Sequence, residues 1–165
     1  MVAILGFSKD QITAAVKAMY GEVAVAPTQP FHFPVGRAGA RAVGYPDVEL
    51  DRVPPETLAS FAGVGYPFRA DVIRPGDEVL DIGAGSGTDT LIASRLVGDS
   101  GKVWALDITP AMLTKLRATL HAADIRNVEV IEGDAERIPL PDNSVDVGHE
   151  QWRAQPRPRQ AARLC

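Results

Sequence analysis

Glu78-Val79-Leu80-Asp81-Ile82-Gly83-Ala84-Gly85-Ser86-Gly87-Thr88 is the stretch on which the fold turns. A short apolar run ends in a carboxylate, glycines then take every second position, and a helical pattern begins at Thr88. This predicts a strand, a loop and a helix start. Glycine lacks a Cβ, so such a loop brings backbone amides close to a ligand. The helix over Thr88 to Val97 aims its positive end at the same spot and favours an anionic group there. Asp107 ends the next apolar run, Lys102-Val103-Trp104-Ala105-Leu106. A carboxylate at the tip of a second parallel strand is placed to accept two hydrogen bonds from ribose hydroxyls. The pair of features implies a nucleoside-containing cofactor.

The glycine spacing narrows the choice. A dinucleotide fingerprint, G-x-G-x-x-G, requires a third glycine for close helix–strand packing. Counted from Gly83 that position is Thr88, and from Gly85 it is Thr90. Asp81 would also repel a diphosphate. A ligand carrying both an ammonium and a carboxylate suits an acidic residue beside a helix N-terminus, and S-adenosylmethionine has that end group together with a ribose. A nicotinamide-dependent reductase is the alternative that this spacing disfavours.

Composition sets the frame. The chain has 165 residues, 45% of them hydrophobic, enough for one domain with a core. Its net charge of −4 gives no broad basic face for a nucleic acid. No apolar run is long enough to span a membrane. Cys165 is the single cysteine, and His32, His121 and His149 show no ligand spacing, so neither a disulfide nor a metal site is expected. A cytoplasmic location and a small-molecule partner are the corresponding expectations.

Along the chain, residues 8–20 predict an amphipathic helix. Ser8 and Gln11 form a capping box, Ile12, Ala15, Val16 and Met19 recur at helical spacing, and Gly21 is the expected stop. Such a helix serves as a lid or brace. The proline-rich segment to Pro34 reads as loop. Short helices are expected around Gly36–Val43 and Pro55–Ala62, and the turn Gly63-Val64-Gly65-Tyr66-Pro67 is a candidate pocket wall. After β-type Glu78–Ile82 come the helix to Val97, the second strand, and a helix capped by Thr109 with Pro110 first. A third strand follows at Val128-Glu129-Val130-Ile131, and a fourth opens at Ser144-Val145-Asp146-Val147. Alternating strands and helices predict a Rossmann-like, doubly wound parallel α/β sheet. Asp134 sits at the tip of the third strand, where a carboxylate can meet an adenine amino group or simply form a turn.

These residues resemble the class I S-adenosylmethionine-dependent methyltransferases. The matching pieces are Val79–Gly87, Leu106-Asp107 and Gly133-Asp134-Ala135-Glu136-Arg137-Ile138-Pro139-Leu140. Tyr20-Gly21, Phe31-His32-Phe33-Pro34-Val35-Gly36, Gly63–Pro67 and Leu106–Met112 look like the arsenite methyltransferase branch. The resemblance implies that Asp81, Gly83, Ala84, Gly85, Ser86 and Gly87 hold the methionine end of the cofactor. Asp107 would take the ribose hydroxyls, Ile108 the adenine face, and Asp134 with Ala135 the adenine amino edge. It implies direct displacement at the sulfonium methyl and assigns no catalytic residue. That branch binds arsenic through thiolates, and the stretch Glu22–Pro30 has none. A small organic acceptor is therefore expected in preference to arsenite.

After Val147 the pattern breaks. Residues 149–165 carry four arginines and one glutamate with no regular periodicity. A one-base shift of frame near codon 148 restores a continuation resembling the family's segment after its fourth strand. The expectation is therefore an N-terminal cap segment over 1–70, a cofactor-binding half domain over 71–147, and an aberrant basic tail over 148–165. A chain that ends after the third or fourth strand would leave one edge of the first strand unpaired, inviting self-association. The leading expectation is a methyltransferase, as an incomplete chain, and the alternative is a cofactor-binding module without transfer activity.

Overall fold

The computed structural model describes residues 6, 8–150 and 163–164. Among them, α1 (Lys9–Val25), α2 (Gly36–Ala42), α3 (Asp47–Leu50) and α4 (Pro55–Ala59) precede the sheet, with a 3-10 turn at Pro67–Ala70. Then follow β1 (Glu78–Ile82), α5 (Thr88–Val97), β2 (Lys102–Asp107), α6 (Pro110–Ala122), β3 (Val128–Glu132), β4 (Val147–Glu150) and β5 (Arg163–Leu164). All strand pairs are parallel, in the order β3-β2-β1-β4-β5. This is the layered parallel α/β sheet that the alternating pattern predicts.

Strand side chains alternate between two faces. Val79 and Val103 meet Ala93 and Val97 of α5, while Ala105 packs with Leu113, Leu116 and Leu120 of α6. On the opposite face Leu80, Ile82 and Leu106 pack on Ala135, with Ile138, Leu140 and Val145 alongside. The N-terminal segment joins the first face: Tyr45, Leu50, Val53, Leu58 and Phe61 share one cluster with α5 and α6.

Three expectations are corrected. First, α1 does not stop at Gly21. It opens at the expected capping box, with Gln11 N donating to Ser8 Oγ at 3.2 Å and Ser8 N to Gln11 Oε1 at 2.8 Å. It then runs through Gly21 because Val23 and Ala24 are buried against Met112. Their carbonyls accept from Ser60 Oγ at 3.0 Å and Lys115 Nζ at 3.2 Å. This burial outweighs the cost of a helical glycine, about 1 kcal/mol. A Cβ at Gly21 would meet nothing within 4 Å. Gly21→Ala is therefore expected to stabilise the chain by about 0.5–1 kcal/mol, read as a Tm rise of about 1–4 °C; an unchanged or lower Tm would contradict the helical assignment.

Second, the Thr109 side chain makes no cap bond; its backbone N–H donates to Asp107 instead, at 2.7 Å. Third, β1 is not left with a free edge. β4 pairs along it, Val79 with Val147 through Ile82 with Glu150. The fourth strand thus begins later than Ser144 and crosses the boundary expected at 147/148. Residues 151–162 and 165, which make up most of the expected aberrant tail, lie outside the described residues.

Candidate cofactor site

A cavity of about 620 Å³ opens beyond the C-terminal ends of β1, β2 and β3. That volume falls in the ordinary range for small-molecule sites. Its floor is the glycine loop. Gly83 and Gly85 have φ of 79° and 55°, in the left-handed region where a side chain is strained. The amides of Gly83 and Ala84 both donate to Leu106 O, at 2.8 and 3.1 Å, which stitches the loop to β2.

Asp107 organises the rim. Its two carboxylate oxygens accept from Gly85 N at 2.8 Å and Thr109 N at 2.7 Å, so one side chain holds both the loop and the start of α6. Four lone-pair sites leave room for ligand hydroxyls as well. Burial holds the carboxyl above its ordinary range, although the Thr109 and Gly85 amides pull it back down. Tyr20, whose hydroxyl is raised by burial and by the Asp107 charge, faces the same cavity.

The sign of a pH effect follows. A carboxyl raised on folding favours the folded state below the unfolded-chain value and loses that contribution as pH rises through the raised one. Hydroxyl recognition, in contrast, needs the ionised form. Acidification is expected to weaken cofactor binding at a pH above the usual aspartate range, without a parallel loss of stability from this group. Titration calorimetry and thermal melts over the same pH series check this; a binding midpoint at an ordinary aspartate value would refute it.

Of the residues expected to bind, Gly83, Ala84, Gly85 and Ser86 line the cavity, as do Asp107, Ile108, Asp134 and Ala135. Thr88 also lines it, and its Oγ1 is buried without a hydrogen-bond partner among the described residues, as a group awaiting a ligand would be. The Ser86 hydroxyl turns away to donate to Thr57 O at 2.8 Å. Asp134 carries the turn that the sequence offered as an alternative: its carboxylate accepts from Glu136 N at 2.9 Å and lies 3.2 Å from Lys9 Nζ.

Two residues are placed elsewhere. Gly87 is absent from the lining; an added Cβ there would come within 2.3 Å of Leu116 Cδ1, so this glycine serves the packing of α5 on α6. Asp81 is 0% exposed and turned beneath the loop, accepting from Thr90 Oγ1 at 2.6 Å. The acidic side chain facing the cavity from this region is Asp89. His149, read as isolated in the sequence, lies beside Asp81, with Nε2 3.1 Å from Oδ1. Burial would lower its imidazole, and the charges of Asp81 and Asp89 outweigh this and raise it.

The far wall comes from α1. Ile12, Val16 and Met19 face the cavity, joined by Phe61, Gly63, Val64 and Met112. The amphipathic period of α1 and the position of the Gly63-Val64 turn signalled a cover and a wall. Neither signal located them relative to the loop.

A parallel sheet with a glycine loop after β1 and a clamping carboxylate after β2 is the nucleoside-cofactor arrangement of a doubly wound fold, and the relatives identify it as that of a class I S-adenosylmethionine-dependent methyltransferase. The chain belongs to the family described as "Methyltransferase domain", which matches residues 79–162. It is 39% identical over 85 residues to the arsenite methyltransferase of Halobacterium salinarum, covering 52% of this chain and 22% of that protein. It is 46% identical over 76 residues to the ubiquinone/menaquinone biosynthesis C-methyltransferase UbiE of Azotobacter vinelandii, covering 46% of this chain and 30% of the relative. Among solved structures it is similar to CrArsM, an arsenic(III) S-adenosylmethionine methyltransferase from Chlamydomonas reinhardtii. The TM-score is 0.57 at 34% identity, over 64% of this chain and 38% of that one. The chain thus spans between about a fifth and a third of the length of the curated relatives it matches.

Proposed function

We propose that this chain binds S-adenosylmethionine in the cavity above the glycine loop and directs its methyl group to a small, apolar organic acceptor. One observation carries the proposal: a single cavity is bounded below by backbone amides and the Asp107 carboxylate, and above by the apolar wall of α1. Asp107 would hold the ribose hydroxyls while keeping its two backbone clamps. Ile108 and Ala135 offer apolar surface to the adenine, and Gly83, Ala84 and Gly85 let the backbone approach the amino-acid end. Asp89 and the Thr88 hydroxyl supply polar partners beside it.

When bound, the cofactor supplies an electrophilic methyl on sulfur. The chain's own part is alignment and exclusion of water. Ile12, Val16, Met19, Phe61 and Val64 would seat the acceptor against the methyl and keep that side dry. No residue is assigned a proton-transfer role.

Arsenite is a second reading, favoured by the likeness to the Chlamydomonas enzyme. Against it, no cysteine stands among the cavity residues, and soft arsenic calls for thiolates. The single cysteine, Cys165, lies outside the described residues.

The test has two stages. Calorimetric titration with S-adenosylmethionine is expected to give saturable one-to-one binding, and its failure in a folded chain would end the proposal. Transfer of labelled methyl is then measured to a panel of phenols and quinols and to arsenite with thiol. Label in the organic acceptors supports the apolar assignment; label in arsenite alone overturns it.

A further inference from the structure

Beneath the loop three ionisable side chains converge from three elements; Asp81 and His149 have no part in the roles just proposed, and Asp89 borders both the cofactor cavity and this group. Asp81 comes from β1, Asp89 from the first turn of α5, and His149 from β4. They are 0%, 4% and 1% exposed. The parallel register sets Asp81 directly opposite His149, and one ligand atom from each of the three lies within 4.8 Å of the others.

The contacts within the group are incomplete. His149 Nε2 and Asp81 Oδ1 are 3.1 Å apart but out of line for a hydrogen bond, and both are buried with no hydrogen-bond partner among the described residues. The carboxylates are meanwhile oriented from behind. Thr90 Oγ1 donates to Asp81 Oδ2 at 2.6 Å, and the Tyr45 hydroxyl donates to Asp89 Oδ1. Hydroxyls that fix the far oxygen of a carboxylate are the usual support of a metal ligand.

We propose that Asp81, Asp89 and His149 form a binding site for a first-row divalent metal ion of the zinc class. Two ligands at about 2.1 Å from a shared ion are separated by about 3.0 Å at right angles and about 3.4 Å at the tetrahedral angle. The 3.1 Å between Nε2 and Oδ1 fits this range. The ligand atoms, all within 4.8 Å of one another, have to close by up to about 1.4 Å to reach the tetrahedral separation and complete the set. One imidazole and two carboxylates suit zinc, cobalt or manganese better than the softer thiolate-bound ions. The ion would tie β1, α5 and β4 together under the cofactor loop.

The experiment uses the untagged full chain, stripped with a chelator and free of S-adenosylmethionine, so it is independent of the methyl-transfer proposal. Cobalt(II) is added and followed by visible absorption, then displaced with zinc, and zinc binding is repeated by calorimetry. The expected result is one ion per chain, displacement of cobalt by zinc, and a Tm rise of about 5 °C or more at a hundredfold excess over Kd. His149→Ala, His149→Gln and Asp81→Asn, each checked for folding by circular dichroism, are expected to weaken zinc at least 100-fold. His121→Ala and Cys165→Ser are expected to leave it unchanged. Absence of the cobalt band and of zinc heat would overturn the site. Binding that persists in both His149 variants, or that disappears in Cys165→Ser, would overturn it equally.

Discussion

Asp107→Ala is expected to weaken S-adenosylmethionine binding by at least 100-fold. The side chain makes two charge-assisted contacts to the protein, to Gly85 N and Thr109 N, and is proposed to receive the ribose hydroxyls. A hydrogen bond to a charged group is worth about 1.5–3 kcal/mol, and each 1.4 kcal/mol is a factor of ten. Losing two such ligand contacts gives a hundredfold or more before any loosening of the loop is counted. The variant loses its loop clamp as well, so Asp107→Asn is the informative companion. It keeps one acceptor oxygen and the shape, and is expected to bind more weakly than the native chain and more tightly than the alanine variant. Calorimetry on the three proteins decides the matter; equal affinity in all three would remove Asp107 from the proposed site.

Gly87→Ala is expected to destabilise the chain by about 2–5 kcal/mol. Gly87 has φ of 101°, and an added Cβ would stand 2.3 Å from Leu116 Cδ1. Left-handed backbone costs a non-glycine residue about 1–2 kcal/mol, and overpacking a filled core adds about 1–3 kcal/mol. Leu116 is fully buried and cannot swing into solvent. The two contributions separate in a double-mutant cycle. Leu116→Ala alone is expected to cost about 2–5 kcal/mol, but in its presence Gly87→Ala should cost only the backbone share. Denaturant melts of the four proteins measure the coupling. Strict additivity would show that Gly87 does not serve helix packing.

The strand, loop and helix around Gly83, the carboxylate at the end of β2 and the parallel order of elements are legible in the chain because each depends on neighbours within a few residues. Alternation marks a strand, glycine marks backbone that must approach or turn, and Pro110 marks a helix start. The site residues on those elements inherit their places, and most of those expected to bind do line one cavity.

What required tertiary structure is what distant segments do to one another. Helix α1 continues through Gly21 because burial of Val23 and Ala24 against α6 outweighs a local stop signal. Its apolar stripe becomes a cavity wall only once the helix lies over α6. Asp81, placed by sequence in the cofactor loop, turns away because Thr90 and His149 take its carboxylate region. Asp81 and His149 are separated by much of the chain, and only the return of β4 beside β1 brings them level. Period and spacing report local backbone geometry. Which face of an element meets which partner is settled by the packing of the whole, where burial free energy is gained between residues far apart in sequence.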